Sequence, residues 1–288
     1  MNTLENLFGY KGKNVVITGS ASGMAKAATE MLILLGANVF AIDRSDIDLP
    51  VHKAIKGDLG QKETIDDVIS QLPDTIDALF MCHGMALVPG KEKLIQVVNF
   101  IGQKYFVETV LPKIVDKGSV SFISSTGGYG WEAQMPVVSD LLDCATFEDG
   151  VKWVEKHIGM FSDGFSSDAY CFSKQCMNAY IKSKVRSPEF IDRKIRINAV
   201  APSYTLSGLT KDFNLAVSPD GTDKGGEQLM HDFFLKSWNG RPGTPEEMGY
   251  PLVVIGSKLC SYLSGQIIYI DFGFTGESDY KAACRVEN

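Results

Sequence analysis

Asn14–Gly36, NVVITGSASGMAKAATEMLILLG, carries the reading of the fold. Asn14–Thr18 is a short β-branched run, the composition of a buried strand. Gly19–Gly23 is a small-residue turn. Met24–Leu35 is helical in composition and stops at Gly36, a candidate C-terminal cap. Glycines let the backbone turn tightly and approach a pyrophosphate, while the helix behind them offers N–H donors and a favourable dipole. Two glycines can also form a merely structural turn. Here they stand between a buried strand and an apolar helix, the context that a nucleotide site requires.

Outward from this stretch the pattern repeats. Asn38–Asp43 reads as a second strand, Lys62–Leu72 as a helix and Ile76–Met81 as a third strand. Lys91–Leu111 is long and helical, and Ser119–Ser124 is a fourth strand followed by the small-residue loop Thr126–Gly130. Asp168–Val185 reads as a helix with Asp168 as its N-cap. Ile195–Val200 is a strand closed by Pro202, Pro245–Ile255 a helix with proline in its first turn, and Gln266–Asp271 a last strand. Alternation at this spacing predicts an α/β fold: a single Rossmann-type doubly wound parallel sheet with helices on both faces. Residues 1–288 read as one domain. Two segments break the rhythm, an insertion over 127–167 and a stretch over 203–240.

Asp43 ends the second strand 20 residues after Gly23. An acid there can accept hydrogen bonds from both adenosine ribose hydroxyls and repel a 2′-phosphate, which favours NAD over NADP. The adjacent Arg44 could instead accommodate that phosphate, stack on adenine or face solvent.

Of the 288 residues, 44% are hydrophobic and 22% charged, an ordinary globular composition, and the formal net charge is −7. That balance gives no basic footprint for nucleic acid. The N-terminal segment is too polar for a signal peptide, and no apolar run reaches membrane-spanning length. The expectation is a cytoplasmic protein with no membrane or nucleic-acid partner. The six cysteines form no Cys-x-x-Cys and have no zinc spacing, so buried free thiols are expected and no metal.

Tyr170 and Lys174 lie four residues apart in Ala169–Lys174, AYCFSK, and so on one helix face. An ammonium beside a phenol can lower the tyrosine pKa and suit it to general acid–base work on an alcohol or carbonyl. A solvated lysine near a half-buried tyrosine is the plainer alternative. Ser125 ends the fourth strand.

Together these residues resemble the short-chain dehydrogenase/reductase family from Lys13 to about Gly276. The Gly19/Gly23 turn resembles its Thr-Gly-x-x-x-Gly-x-Gly. Asp58-Leu59 resembles its adenine-contacting pair, and Asn99 sits where its helix asparagine does. Ser125, Tyr170 and Lys174 match its remaining catalytic positions. Pro202–Ser207, PSYTLS, resembles its loop over the nicotinamide; Gly240–Met248 and Ser264–Gly273 resemble its C-terminal landmarks. The resemblance implies a catalytic set of Asn99, Ser125, Tyr170 and Lys174. It implies cofactor contacts from Gly19, Ser22, Gly23, Met24, Asp43, Arg44, Asp58, Leu59, Cys82, His83, Gly84, Tyr170, Lys174, Pro202, Ser203, Thr205 and Ser207. Tyr170 would exchange a proton with a secondary alcohol or ketone while hydride passes to or from the cofactor. Ser125 would hold the substrate oxygen, Lys174 would hold the nicotinamide ribose, and Asn99 a water linking Lys174 to solvent. A homodimer or homotetramer is implied.

The chain departs from the family at Ala25, at Met81-Cys82-His83-Gly84, at Ser203 and at Phe272. Met81-Cys82-His83-Gly84 stands where the family has Asn-Asn-Ala-Gly; those asparagines brace the sheet, so local packing there is in question. Ser125 and Tyr170 are 45 residues apart, against about a dozen in the family. That insertion, with a short helix at Phe147–His157, resembles the branch of bacterial 3α-hydroxysteroid dehydrogenase/carbonyl reductase. It implies a hydroxysteroid, a bile acid or a similarly bulky apolar alicyclic substrate; carbonyl reduction of small ketones is the alternative. A non-catalytic NAD-binding sensor and an isomerase or dehydratase are the competing classes. Leu209, Phe213, Leu215, Phe233, Phe234 and Trp238 could line a substrate lid within 203–240, or form core or subunit contacts. His83 could touch adenosine, or simply pack at a strand end.

Overall fold

Asn14–Thr18 forms β1, an interior strand of a seven-stranded sheet that extends from it on both sides. The computed structural model describes residues 4–161, 168–238 and 240–286. β2 (Asn38–Asp43) and β3 (Lys53–Lys56) lie on one side of β1. β4 (Ile76–Met81), β5 (Ile114–Ile123), β6 (Arg196–Pro202) and β7 (Ile267–Ile270) lie on the other. All pairings are parallel, in the order β3-β2-β1-β4-β5-β6-β7. The order reverses between β1 and β4, so a crevice opens beyond the C-terminal ends of these two strands.

The helices are α1 (Leu4–Phe8), α2 (Gly23–Leu34), α3 (Lys62–Ser70), α4 (Glu92–Gln96), α5 (Gly102–Val110), α6 (Met135–Leu142), α7 (Phe147–Lys156), α8 (Ala169–Lys184), α9 (Pro188–Ile191), α10 (Thr210–Val217), α11 (Asp223–Phe234), α12 (Pro245–Gly256) and α13 (Phe274–Val286). Successive strand residues point to opposite faces, so β1 feeds two cores. Val15 and Ile17 pack with Ala28 and Leu32 of α2 and Leu252 and Val253 of α12. Val16 packs with Ile65 of α3, Val107 of α5 and Ile181 of α8. Burying each such side chain contributes about 1.5–3 kcal/mol. α12 lies close against α2 because Gly249 has no Cβ; one there would come 2.6 Å from the Met24 carbonyl oxygen.

The strands and helices read from the sequence are present, with ends shifted by a few residues. β3 has no counterpart in the sequence reading: KAIK offers one buried residue, Ile55, and its lysines mark it as a charged sheet edge. The long helix expected over Lys91–Leu111 is α4, a π turn at Val97–Ile101 and α5 in direct succession. Within the insertion, α6 and α7 cover α4, α5 and α8. Phe147 meets Tyr105 edge-on at 5.8 Å, and Trp153 stacks on Phe172 at 6.1 Å. Residues 162–167 of that insertion, and residue 239 of the second irregular segment, lie outside the described residues. No described helix is long and apolar enough to cross a membrane.

Candidate active site

The crevice beyond β1 and β4 is the mouth of a cavity of about 990 Å³. Its wall contains Ser125, Tyr170 and Lys174 together with every residue expected to contact a cofactor: Gly19, Ser22, Gly23, Met24, Asp43, Arg44, Asp58, Leu59, Cys82, His83, Gly84, Pro202, Ser203, Thr205 and Ser207. These positions come from seven separate parts of the chain, and the sheet brings them to one end.

The turn after β1 has the form of a phosphate cradle. Gly19 and Gly23 take φ of +79° and +58°, where an L side chain is strained. A Cβ on Gly19 would also stand 3.0 Å from the His83 backbone nitrogen. α2 starts at Gly23 with no acid in its first turn, so its positive end faces the cavity uncompensated. Asp43 is fixed at the tip of β2: Ala21 N–H donates to one carboxylate oxygen at 3.0 Å and Ser45 N–H to the other at 2.8 Å. Each oxygen keeps a lone pair for a ribose hydroxyl. Arg44 is exposed beside it. The donor set, the glycine cradle and the placed carboxylate fit a nicotinamide dinucleotide.

α8 carries the tyrosine and the lysine. Asp168 caps it, accepting the Cys171 N–H at 2.8 Å. Lys174 is 4% exposed and donates to the Ile123 carbonyl at 2.9 Å; its Nζ lies 5.7 Å from the centre of the Tyr170 ring. Burial pulls the Lys174 pKa down to about 8. The Tyr170 pKa is not lowered as the sequence reading expected. Burial pushes it above the ordinary range, and a hydrogen bond with Ser125 opposes that rise. Lys174 directs an N–H to the main-chain carbonyl of Ile123, and burial is the largest influence on the phenol. Ser125 sits at the end of β5 and accepts the Gly127 N–H at 3.1 Å.

Asn99 lies behind the wall, in the π turn. Its Oδ1 accepts the Met85 N–H at 2.8 Å, and its Nδ2 donates to the Met85 carbonyl at 3.0 Å and to Ser173 Oγ at 3.3 Å. Its side chain therefore ties the segment after β4 to α8.

His83 repairs the packing that the missing asparagines put in question. The Thr18 hydroxyl oxygen accepts the N–H groups of Cys82 (2.9 Å) and His83 (3.2 Å) and lies 2.9 Å from His83 Nδ1. Gln103 Nε2 donates to the His83 carbonyl at 2.6 Å. One imidazole and one threonine thus join the ends of β1 and β4. Burial, reinforced by the Lys174 charge, lowers the His83 pKa to about 3, so the ring is neutral.

The outer wall is apolar. Leu209 and Phe213 enter it from the α10 side, and Phe233 and Phe234 from α11, whereas Leu215 is exposed and Trp238 packs behind. Phe213 meets the Tyr170 ring edge-on at 4.8 Å. Tyr129 and Phe274 complete the wall and escaped the sequence reading, because no local pattern links the loop after β5 to α13. Phe272, where the family has glycine, takes φ +52° and stacks on Trp238 at 3.9 Å.

Residues 161–275 match the family model described as enoyl-(acyl carrier protein) reductase. The chain is 26% identical to coniferyl-alcohol dehydrogenase of Pseudomonas sp. strain HR199, over 91% of this chain and 96% of that protein. It is 25% identical to 3-alpha-hydroxysteroid dehydrogenase/carbonyl reductase of Comamonas testosteroni, over 90% and 95% respectively. Its fold matches the crystal structure of the 3-alpha-hydroxysteroid dehydrogenase from Pseudomonas sp. B-0831 complexed with NADH. The TM-score is 0.71 at 22% identity, covering 90% of this chain and 95% of that one.

Proposed function

This chain belongs to the short-chain dehydrogenase/reductase family, an oxidoreductase family, and from that premise we propose an NAD-dependent enzyme interconverting a secondary alcohol and a ketone on a bulky apolar substrate. A hydroxysteroid, a bile acid or a comparable alicyclic alcohol is the substrate class. The observation that carries the proposal is the meeting of Ser125, Tyr170 and Lys174 on the wall shared with the Gly19–Gly23 turn and Asp43.

The Gly19–Gly23 turn and the start of α2 would hold the pyrophosphate, and Asp43 the adenosine ribose. The negative charge of Asp43 favours NAD over NADP. Bound there, the cofactor supplies or accepts the hydride. Tyr170 takes the hydroxyl proton in oxidation and returns it in reduction. Ser125 holds the substrate oxygen and stabilises charge developing on it. Lys174 keeps a positive charge beside the phenol, favouring the phenolate at the moment Tyr170 has given up its proton. Phe213, Phe233 and Phe274 supply an apolar surface for a fused-ring or aromatic body, and residues 203–240 act as the lid. In this reading the whole chain is one catalytic domain, the insertion over 127–167 reaches the cavity through Gly127 and Tyr129, and the enzyme is a cytoplasmic homodimer or homotetramer. None of the six cysteines is in a disulfide, as a reducing compartment would keep them.

The test is a panel of cyclohexanol, borneol, androsterone, a 3α-hydroxy bile acid and coniferyl alcohol with NAD and NADP, followed by reduced-nicotinamide absorbance. Net reduction of NAD by the fused-ring alcohols is expected, with Tyr170→Phe slowing it by about 10²–10⁴-fold and binding NADH as wild type does. Wild-type rates in Tyr170→Phe, or no reduced cofactor with any member, would sink the assignment.

A further inference from the structure

Asn178 stands one helical turn beyond Lys174 on α8, outside the cavity wall and fully buried. The Ser124 hydroxyl donates to its Oδ1 at 2.7 Å, and its Nδ2 donates to the Gly128 carbonyl at 2.9 Å. These partners bracket Ser125. The two bonds also fix the amide's orientation, because a flipped amide would set Oδ1 against the Gly128 carbonyl oxygen.

The loop is seated closely on the helix at the same place. A Cβ on Gly128 would come 2.5 Å from Asn178 Nδ2 and 2.9 Å from the Lys174 carbonyl oxygen. Within the loop, the Gly127 N–H donates to Ser125 Oγ at 3.1 Å and the Gly128 N–H to the Ser125 carbonyl at 2.9 Å. A single side chain thus ties the residues before and after Ser125 to the helix that carries Tyr170 and Lys174.

We propose that Asn178 is the positioning residue for Ser125: its amide clamps Ser124 and Gly128 to α8 and thereby sets Ser125 against Tyr170. The inference rests on the assignment of Ser125 to the substrate oxygen. The clamp needs an acceptor and a donor in one short planar group. Aspartate would leave the Gly128 carbonyl without a donor, and alanine would leave both partners unpaired in a buried site. A shift of the serine by about 1 Å is enough to cost about 10²-fold in rate.

The experiment is a double-mutant cycle with the panel alcohol that wild type oxidises fastest, read beside NADH affinity and amide exchange. Asn178→Ala should lower kcat 10- to 100-fold (a range set by the cost of misplacing a reacting group). NADH affinity should stay within about twofold. In a Ser125→Ala background the same change should alter kcat by less than about twofold, since the residue acts through the serine. Hydrogen exchange at Gly127 and Gly128 should accelerate in Asn178→Ala. An equal loss of kcat in the Ser125→Ala background, or unchanged exchange at the two glycines, overturns the proposal. If Asn178→Ala fails to fold, Ser124→Ala removes half of the clamp with little change in volume and enters the same cycle. A wild-type protein inactive on the whole panel refutes the functional reading, and glycine exchange still decides the clamp.

Discussion

Replacing Lys174 with methionine should make the free protein inactive and, at pH 7, more stable. The lysine is almost completely buried and its pKa lies at about 8, against an ordinary 10.5. At about 1.4 kcal/mol per pKa unit, keeping it charged costs the folded state about 3 kcal/mol. Between pH 8 and 10.5 the unfolded chain binds more protons than the folded one, so this group makes wild-type stability rise with pH across that window. The full cost is present below pH 8 and absent above 10.5. Methionine fills a similar volume without charge and loses the charge-assisted hydrogen bond to the Ile123 carbonyl, about 2 kcal/mol. The net gain at pH 7 is about 1 kcal/mol, or about 2 °C in Tm for a chain of 288 residues. Urea unfolding of both proteins at pH 7, 8, 9 and 10 measures it. Groups other than Lys174 titrate in both proteins, so the difference between them isolates the lysine. The advantage should shrink steadily as pH rises. A methionine variant less stable than wild type at pH 7, or an advantage constant from pH 7 to 10, refutes the reasoning.

Three further outcomes are expected. Asp43→Asn keeps an acceptor but removes the charge, so the ratio of NADP to NAD affinity should rise at least about tenfold by fluorescence titration; an unmoved ratio would show that Asp43 does not select the cofactor. Phe213→Ala removes the ring set against Tyr170 and should raise KM for fused-ring alcohols by about 1–3 kcal/mol of lost apolar contact while leaving cyclohexanol nearly unchanged; equal effects on both would refute the lid. At Phe272, φ +52° makes glycine the better small replacement. Phe272→Gly should therefore be more stable than Phe272→Ala by about 1 kcal/mol in urea unfolding, reversing the usual order of the two residues.

The strand-and-turn signals near the N-terminus made the fold legible, because β1, β2 and β4 are buried on both faces and read as predominantly apolar runs. β3 was not legible: its pairing with β2 supplies what its sequence lacks. The site was legible as a set of positions and not as a set of charges. That Tyr170 and Lys174 share a helix face follows from spacing alone. That Lys174 spends its proton on Ile123, and that burial dominates the phenol, depends on how α8 lies against β5. The pairing of His83 with Thr18 joins residues 65 positions apart, beyond the reach of any local pattern. Asn178 was invisible for the same reason: an asparagine inside a helix carries no signal until the loop it holds is seen.

The long connection between Ser125 and Tyr170 has a consequence for how this enzyme can change. Closing a flexible loop costs entropy only as the logarithm of its length, so 45 residues in place of a dozen cost about 1 kcal/mol more. The inserted helices recover that through their own burial: Phe147 against Tyr105 and Trp153 against Phe172 each add packing the shorter loop would not have. The segment is thus thermodynamically self-supporting, and its length is nearly free to drift. Among its described residues only Gly127 and Tyr129 line the cavity, so mutation can change the inserted helices while β5, which leads to Ser125, and α8, which carries Tyr170, stay in register. That segment can lengthen or shorten without passing through unstable intermediates.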